Sequence, residues 1–429
     1  MSEPWGNVCN RTGSCALTGA AAFASSMPGC EIVINGPLWC YFYAMRFLEH
    51  NDHLLHERFH NSQPDNNAIV YGSEKDLTAE LKRVFADGHK PEVLFIEASC
   101  SMSLIGDDLQ GIAKKMQIPF PVVTMDCGGL IGGFREGYLK CAKIFINHFA
   151  TENYPQEPFA VNILGLSDYY YNGKADREEI CRILTKAGYK INCLPGTGSV
   201  YDLKNLSKAT LNIVCNEEIG LELAEFLKNK FGTEYVLAGV PYGVQGTMQW
   251  LERIHACLPV PNLSLVEEEA KSMQEYLLAK SNDTRVTWPE LWFDKCLISA
   301  PGTQALCLAE ALRSEWVDVG KLTVICQEKL KHTAFTTMPD EILFAVEDEE
   351  RIDYLFKNME HVLLFASASE LTRFQKRKAD FISIGFATPV VDEVNFTTKP
   401  LVGIQGAAVI FEKIWNSYIQ NIIRKSIGK

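Results

Sequence analysis

The chain has 429 residues, of which 47% are apolar and 22% charged, so it is long enough for two or three domains and too apolar to be disordered. Its formal net charge of −12 argues against nucleic acid or an anionic membrane as a partner. The sequence contains no apolar run of about 18 residues, and its start, MSEPWGNVCNRTGSC, does not resemble a secretory signal. We therefore expect a cytoplasmic protein that binds neither nucleic acid nor a membrane.

Residues 1–155 show alternating strand and helix patterns and are predicted to form a first α/β domain. The predicted strands are EIVING, NNAIVYG, PEVLFIEAS and PFPVVTMD. The predicted helices are YFYAMRFLEHND, SEKDLTAELKRVFADG, GDDLQGIAKKMQ and REGYLKCAKIFINHF, and Ser73 is expected to cap the second of them. The polar, proline-containing segment TENYPQEP marks the end of this domain.

Two further α/β domains are predicted at residues 156–290 and 291–400. The second contains strands such as AVNILGLS and TLNIVCN, separated by helices such as EEIGLELAEFLKNKFG. The third begins with KCLISAPG and continues with KLTVIC, DEILFAVED, HVLLFAS and ADFISIGF. Residues 401–429 predict an amphipathic helical segment that packs back on another domain. This alternation predicts three Rossmann-like, doubly wound domains with mostly parallel sheets.

Three of the fourteen cysteines share a setting in the first domain. Cys15 in GSCALTGA, Cys40 in NGPLWCYFY and Cys100 in EASCSMSLIGDD each lie at a junction between a loop and a helix, with glycine nearby. At such junctions the backbone can approach a cofactor closely and its amides can face an anionic cluster. In a reducing compartment, grouped cysteines favour metal binding or catalysis over disulfides. Three thiolates are one fewer than an iron–sulfur cubane takes, so a second subunit would supply the remainder.

Five segments of the first domain resemble, in order and spacing, the subunits of nitrogenase component 1 and its relatives. The segments are CALTGA, NGPLWC, NNAIVYGSEKDL, ASCSMSLIGDDL and PVVTMDCGGLIGGFREGY. The relatives include cofactor-assembly scaffold proteins, dark-operative protochlorophyllide reductase and other nitrogenase-like reductases. ATLNIVCNEEIG and ISIGFATPVVDEVNFTTKPLVGIQGAA are similar to later segments of the same family. The resemblance implies three Rossmann-like domains, in agreement with the three predicted blocks.

The resemblance also implies a cluster and its partners. Cys15, Cys40 and Cys100 match the three cysteines that hold an interfacial cluster in each subunit of the family, either an eight-iron P-cluster or a [4Fe-4S] cubane. Family subunits pair with a homologous or identical subunit, as dimers or heterotetramers, and receive electrons from a separate ATP-hydrolysing iron protein. The present sequence has no GxxxxGK[ST] loop, in agreement with ATP hydrolysis by that other protein.

Two further cysteines are candidates for cofactor binding. Cys127 lies after a predicted strand and before GGLIGG, where it would reach the cluster unless it packs in the core. Cys215 in LNIVCNEE matches the cysteine that holds a second iron–sulfur cofactor in the interdomain cleft of nitrogenase. The histidine that completes that site has no counterpart, although Asp392 and Glu393 lie near the matching position. This departure leaves open a cofactor held differently, an organic substrate in the same cleft, or a subunit without its own cofactor.

Four histidines form a separate group, His50, His53, His56 and His60, spaced so that a helix would place them on one face. A zinc site or a proton relay is one interpretation of this spacing. No carboxylate pattern of a known metal motif accompanies the histidines, so we favour a solvated polar face.

Together, the residues and the resemblance predict an oxidoreductase, a subunit of the catalytic component of an ATP-dependent nitrogenase-like reductase. Electrons would pass from the iron protein through the interfacial cluster to a substrate or second metallocluster in the interdomain cleft. One alternative is a scaffold that holds a cofactor precursor during assembly, since a scaffold must release what it binds and the second-cofactor histidine is missing. Another is a partner subunit without a catalytic role of its own.

Overall fold

The computed structural model of the chain describes residues 14–49, 52, 54–86, 88–127, 131–288, 290–328, 330, 339–373, 379–385 and 399–427. Within these ranges the strands form three sheets, and all neighbouring strands in each sheet are parallel. The predicted α/β fold class with three mostly parallel sheets is therefore confirmed. Among the helices of the described ranges, none combines the length and apolar character needed to cross a membrane.

The first sheet has the strand order β2-β1-β3-β4. Its strands are β1 Cys30–Asn35, β2 Phe59–Asn61, β3 Val93–Ala98 and β4 Val122–Asp126. The helices around it are α1 Ala16–Ser25, α2 Leu38–Leu48, α3 Ala68–Tyr71, α4 Glu74–Val84, α5 Cys100–Ile105, α6 Leu109–Lys115 and α7 Phe134–Phe149. Alternate side chains of β1 enter two cores: Ile32 and Ile34 pack with α1 and α7, whereas Val33 packs with α4 and α6. Because both faces are covered, the strands are nearly continuous apolar runs.

The second sheet has the strand order β6-β5-β7-β8. Its strands are β5 Ala160–Leu164, β6 Lys190–Cys193, β7 Leu211–Val214 and β8 Glu234–Leu237. Its helices are α8 Gly173–Ala187, α9 Glu217–Phe231, α10 Val244–Cys257 and α11 Leu263–Arg285. The chain moves outward from β5 to β6 and then returns to β7 on the other side of β5. The loops after β5 and β7 therefore flank a point at which the strand order reverses, where open α/β sheets bind ligands.

The third sheet has the strand order β11-β10-β9-β12-β13. Its strands are β9 Trp292–Ala300, β10 Asp318–Cys326, β11 Glu341–Phe344, β12 Val362–Ala366 and β13 Ala379–Ser383. The helices that follow in the chain are α12 Gly302–Ala311, α13 Glu349–Asn358, α14 Ala368–Arg373 and α15 Gly403–Ile427. The last of these, α15, packs against α8, α10 and α11 of the second sheet and against β13. Asp176 on α8 accepts a hydrogen bond from the Leu401 amide at 2.6 Å, just before α15 begins.

Two glycines let α1 and α7 approach each other unusually closely. A Cβ atom at Gly19 would lie 1.9 Å from the carbonyl oxygen of Phe134, and one at Gly137 would lie 1.8 Å from the carbonyl oxygen of Ala16. No larger residue fits at either position without moving a backbone. The contact fixes the start of α1, and with it Cys15, against the start of α7.

The prediction of a strand at NNAIVYG is wrong, because residues Ala68–Tyr71 form the short helix α3. Asp65 Oδ1 accepts from the amide of Asn67 at 2.7 Å, so polar residues before the apolar run form a turn that starts a helix. Ser73 stands at the predicted N-cap of α4, but its side chain makes no capping hydrogen bond. Instead the Ser73 hydroxyl donates to Asp107 at 2.5 Å, which ties the beginning of α4 to the loop after α5.

The histidine group does not form one helical face in the described part of the chain. His56 lies in the 3-10 helix Leu55–Glu57, and His60 lies on β2. The change from helix to strand between them separates their side chains, so the predicted common face is wrong for this pair. His50 and His53 lie outside the described residues.

Candidate metal centre and interdomain cleft

The three predicted cluster ligands lie at the carboxyl edge of the first sheet. Cys40 is in the first turn of α2, which follows β1, and Cys100 is the first residue of α5, which follows β3. Cys15 precedes α1 and forms an isolated antiparallel bridge with Gly133, the residue from which α7 begins. Cys100 is exposed, whereas Cys15 and Cys40 are half-buried. All three thiols are therefore held at one open edge of the domain.

The loops after β1 and β3 touch each other at a glycine. A Cβ atom at Gly36 would lie 2.5 Å from both Cβ and Oγ of Ser99, so only glycine allows this approach. The Ser99 amide also donates to the carbonyl oxygen of Asn35 at 3.0 Å. The contact holds the loops that lead to Cys40 and Cys100 side by side.

The three thiols interact electrostatically. The pKa of the Cys40 thiol is raised to about 11, first by burial and then by the negative charges that Cys15, Cys100 and Glu97 carry when ionised. Thiolates placed together in this way repel one another. A cationic metal cluster removes that repulsion and favours the deprotonated sulfur that binds metal.

The donor set fits one side of a polynuclear cluster rather than a mononuclear site. In the part of the chain that the structure describes, no group of three His, Cys, Asp or Glu side chains is arranged around one metal ion. An iron–sulfur cluster does not need such an arrangement, because each cysteine binds a different iron atom. The exposed position of Cys100 leaves the other side of such a cluster open to ligands from a second chain.

Large apolar side chains are exposed on the helices at the same edge. Trp39 and Tyr43 on α2 are 65% and 58% exposed, Tyr71 on α3 is 84% exposed and Leu104 on α5 is 73% exposed. We call the exposed apolar residues of these three helices the apolar rim; they are Leu38, Trp39, Phe42, Tyr43, Ile69, Val70, Tyr71 and Leu104. Exposed apolar residues of this size, where they lie together, are a common feature of protein-binding surfaces.

A cleft of about 900 Å³ lies between the first and second domains. The first domain contributes the ends of α1, α2 and α4 and the beginning of β1, and the second contributes the loop after β5 and the start of α8. Asp168 and Arg177 in the second-domain wall form an ion pair at 2.5 Å. The volume is within the range of about 300 to 1,000 Å³ that is usual for small-molecule sites.

Tyr169 connects the cleft with the cysteines. Its side chain lines the cleft and its ring stacks on Phe134 with the ring centres 4.4 Å apart. The pKa of the Tyr169 hydroxyl is raised, first by burial and then by the charge of Cys15. The Phe134 amide donates to the carbonyl oxygen of Ser14, next to Cys15, at 2.9 Å. One aromatic residue of the second domain therefore packs against the segment next to Cys15 and also forms part of the cleft wall.

A model of the family described as nitrogenase component 1 type oxidoreductase matches residues 15–419. The chain belongs to this family. The family resemblance given by the sequence segments is thus confirmed, and the match extends over all three sheets. At the family level, the chain is a subunit of a nitrogenase-like oxidoreductase.

Relatives of this component 1 chain cover almost all of it. The B-type subunit of light-independent protochlorophyllide reductase from Pleurastrum terricola is 24% identical over 443 residues, 94% of this chain and 82% of that protein. The corresponding protein of Staurastrum punctulatum is 25% identical over 446 residues, with the same coverage. Among solved structures, nitrogenase Cp1 at pH 6.5 has a TM-score of 0.75 and 16% identity and covers 96% of this chain and 93% of its own. At these identities the solved structure shows a common fold.

In this component 1 chain, Cys127 lies in the core of the first domain. It is fully buried, and its thiol donates to the carbonyl oxygen of Met125 at 3.8 Å. Burial and the nearby Glu97 and Cys141 raise its pKa. The structure therefore places Cys127 among core groups, directly after β4 at the carboxyl edge of the first sheet. The neighbouring residues 128–130 of GGLIGG lie outside the described part.

Cys215 is also fully buried, directly after β7. Its amide donates to the carbonyl oxygen of Leu164 at 2.8 Å, and its side chain packs in the core shared by the second and third sheets. Burial raises the pKa of the thiol, with smaller contributions from Cys181 and Cys307. Cys215 does not line the cleft of about 900 Å³. Its predicted carboxylate neighbours at positions 392 and 393 lie outside the described residues.

Sequence reasoning missed the apolar rim and Tyr169. The rim could have been found from NGPLWCYFY, in which apolar residues follow one another without the spacing of a buried helix face. Tyr169 belongs to SDYYYN, three tyrosines directly after a predicted strand, and aromatic residues at a strand end are a usable signal for a ligand site. Its interaction with Cys15 required the relative position of two domains, which local patterns do not contain.

Proposed function

We propose that the chain is a subunit of the catalytic component of an ATP-dependent nitrogenase-like reductase. It takes electrons from a separate iron protein through an iron–sulfur cluster held by Cys15, Cys40 and Cys100, and delivers them to a substrate in the cleft. The observation that carries this proposal is the position of Tyr169, which lines the cleft and stacks on Phe134, whose amide donates to the carbonyl oxygen of Ser14 next to Cys15. A metal-binding edge and a small-molecule site are thus connected by one buried aromatic side chain.

In the proposed complex the chain supplies one side of the cluster and a homologous or identical subunit supplies the other. The cluster, of [4Fe-4S] or eight-iron type, provides one-electron storage and transfer when bound. The residues of this chain hold it through three thiolates, exclude water and set its surroundings. The apolar side chains of α2 next to Cys40, with Trp39 at the centre, are the surface that the second subunit would cover.

The iron protein is proposed to dock on the part of the apolar rim formed by α3 and α5. The Ser73 amide and hydroxyl both donate to Asp107 Oδ2, at 2.9 and 2.5 Å, so α3 is fixed to the loop after α5. This contact ties the segment of Tyr71, two residues before Ser73, to the segment that begins at Cys100 and contains Leu104. A preformed apolar surface next to the cluster ligands supports transient docking of an electron donor.

We propose an unsaturated organic molecule as the substrate. The cleft is large enough for one, and the relatives named above are called protochlorophyllide reductases. Cys215, which would hold a second metallocluster, is enclosed in the core without access to the cleft. Its burial supports a reductase that delivers electrons to an organic substrate without a second cluster in this chain.

Metal analysis of matched cysteine variants tests the cluster. Anaerobically purified protein in its native oligomer should contain iron and sulfide and give a low-temperature EPR signal after reduction. Cys100→Ser should lose most of the iron, whereas Cys257→Ser, the change of another exposed cysteine, should keep it. Four irons for each interface would indicate a cubane and eight a P-cluster. Equal iron in both variants, or none in the strictly anaerobic wild type, would contradict the proposal.

A second experiment separates a reductase from a scaffold. Tyr169→Leu should keep the iron content and EPR signal but slow electron delivery from the cluster to the cleft, measured with protochlorophyllide as the first probe in the presence of iron protein and ATP. Multiple turnovers by the wild type support the reductase. Transfer of the whole metallocluster to an apoprotein, without turnover of any small molecule, would replace this proposal with the scaffold function.

A further inference from the structure

The carboxylate of Glu31 joins two histidines in the wall of the cleft. Glu31 is the second residue of β1 and is almost completely buried. Its Oε1 lies 2.5 Å from Nε2 of His60, and its Oε2 lies 3.3 Å from Nε2 of His89. All three side chains line the cleft of about 900 Å³. Each oxygen of a buried carboxylate therefore faces a ring nitrogen that can donate or accept a proton.

A nearby arginine is engaged elsewhere. Arg58 donates from Nη1 to the Cys30 carbonyl oxygen at 3.1 Å and from Nη2 to Asp52 at 2.6 Å. The hydrogen-bond partners of the Glu31 carboxylate within the described residues are thus the two imidazoles. This distinction matters because arginine stays protonated and can only neutralise a carboxylate, whereas imidazole exchanges protons with it.

Exposure changes along the three residues. The side chain of His89 is 54% exposed, that of Glu31 is 6% exposed and that of His60 is 12% exposed. His89 therefore reaches bulk water, and the other two are enclosed. A ligand that fills the cleft excludes water from the enclosed end and leaves His89 accessible at the opening of the cleft.

We propose that His89, Glu31 and His60 form a proton path from solvent into the cleft. The inference rests on the proposed function, in which the cleft holds an unsaturated molecule that is reduced. Reduction of one double bond consumes two electrons, which the iron protein supplies, and two protons. These three side chains deliver the protons.

Each transfer moves one proton and restores the charge of every group. His89 gains a proton from water on one ring nitrogen and gives up the proton on Nε2 to Oε2 of Glu31. Glu31 holds a proton on Oε1 at the start of each transfer; it passes this proton to Nε2 of His60 and keeps the one that it received on Oε2. His60 then releases the proton of its other ring nitrogen to the molecule in the cleft. Rotation of the Glu31 carboxyl group, which turns its new proton towards His60, and exchange of the ring tautomers of both histidines prepare the path for the next proton.

Other charged groups surround this path and take part in its pH dependence. Around Glu31 these groups are Cys30 on the same strand, Asp52, Glu57 and Arg58 before β2, Arg83 on α4 and Glu92 before β3. Burial raises the pKa of Cys30, so its thiol stays neutral beside Glu31 at neutral pH. Variants of the path are therefore compared at constant ionic strength, and each is checked for an unchanged fold.

Proton exchange in the full chain tests the path without any substrate. Protein labelled with ¹⁵N-histidine gives ring signals that the variants His60→Gln and His89→Gln assign. We expect the two ring ¹⁵N shifts of His60 to report a different tautomer in Glu31→Gln from that in the wild type, because the carboxylate that faces its Nε2 is removed. Ring N–H exchange of His60 with water should slow at least about tenfold in both Glu31→Gln and His89→Gln, since the relay is interrupted. His148→Gln, which changes an exposed histidine on α7, should leave both observations unchanged.

The outcomes distinguish this inference from the proposed function. An unchanged His60 tautomer or unchanged His60 exchange in Glu31→Gln overturns the proton path whatever the protein reduces. A changed tautomer with interrupted exchange supports the path even if metal analysis finds no iron. Once a substrate is turned over, His89→Gln should lower the rate at least about tenfold at unchanged iron content, and added imidazole should restore it.

Discussion

In metal-free protein, the Cys40 thiol should react slowly with a small disulfide reagent. Its pKa is raised from 9.0 to about 11, so the thiolate fraction at pH 8 falls about 100-fold, from about 10% to about 0.1%. A thiolate of higher pKa is more nucleophilic, by about eightfold for two pKa units at a Brønsted coefficient of about 0.45. Cys40 should therefore react with a small disulfide reagent about tenfold more slowly than an ordinary thiol.

The pH dependence and one variant make this prediction specific. The reaction rate of Cys40, read by mass spectrometry of its peptide, should keep rising until about pH 11. Cys15→Ser removes one of the charges that raise the pKa of Cys40. In this variant the midpoint of the Cys40 rate profile should therefore lie at a lower pH, and Cys40 should react faster at pH 8. A midpoint near pH 9 that does not respond to Cys15→Ser would show that the sulfurs do not share a site. With the metal bound, Cys40 should not react.

Three further predictions concern the packing, the apolar rim and a buried carboxyl. Gly137→Ala places a Cβ 1.8 Å from a backbone oxygen and should lower the free energy of unfolding by about 3 kcal/mol in urea titration, whereas Gly246→Ala, with open space around it, should not. Tyr71→Asp should weaken binding of the iron protein in sedimentation experiments, and Tyr276→Asp, the same change at an exposed tyrosine on α11, should leave it unchanged. Burial raises the Asp176 pKa to about 7, so its contribution to stability is complete below about pH 4 and is lost as the pH rises through 7. The free energy of unfolding of the wild type should therefore fall between pH 5 and 8, by up to about 1.4 kcal/mol per pH unit from this residue. Asp176→Asn should abolish this part of the decrease.

Local patterns were sufficient for the sheets and for the positions of the three cysteines. EIVING and PEVLFIEAS are apolar on both faces because helices cover both sides of the first sheet. Burial of both faces can therefore be predicted from the residues of the strands alone. Cys40 and Cys100 follow those strands closely, so the parallel topology places them at one edge. The place of these two cysteines in the fold could therefore be predicted from their distance along the chain to the preceding strand.

The errors arose where distant residues decide local structure. NNAIVYG has the composition of a strand, but a polar turn at its start and the anchoring of Ser73 on Asp107 make it a helix with an exposed apolar face. Apart from the buried Ala68, the apolar residues of this helix are exposed, which is why their pattern fits neither a buried strand nor a buried helix.

The Glu31 site illustrates the same limit for chemistry. The histidine spacing raised a proton relay as one interpretation, but it grouped His60 with three other histidines of the same segment. In the structure the partner of His60 is Glu31, 29 residues earlier, and the third member is His89, 58 residues after Glu31. They meet because β1 lies between β2 and β3 in the sheet. Only strand order, which no local pattern gives, brings these three residues together.

The close contact of α1 with α7 also explains why the edge that carries Cys15 and the cleft are linked. The carbonyl of Phe134 touches Gly19 on α1, and the ring of Phe134 stacks on Tyr169 in the cleft wall. A change that separates these helices must therefore move Cys15 and loosen Tyr169 together. Gly137→Ala should therefore affect both of these sites in addition to lowering the free energy of unfolding. The fraction of Gly137→Ala protein that is folded should bind less iron than the wild type. The environment of its Tyr169 should also differ, because both sites depend on the same pair of glycines.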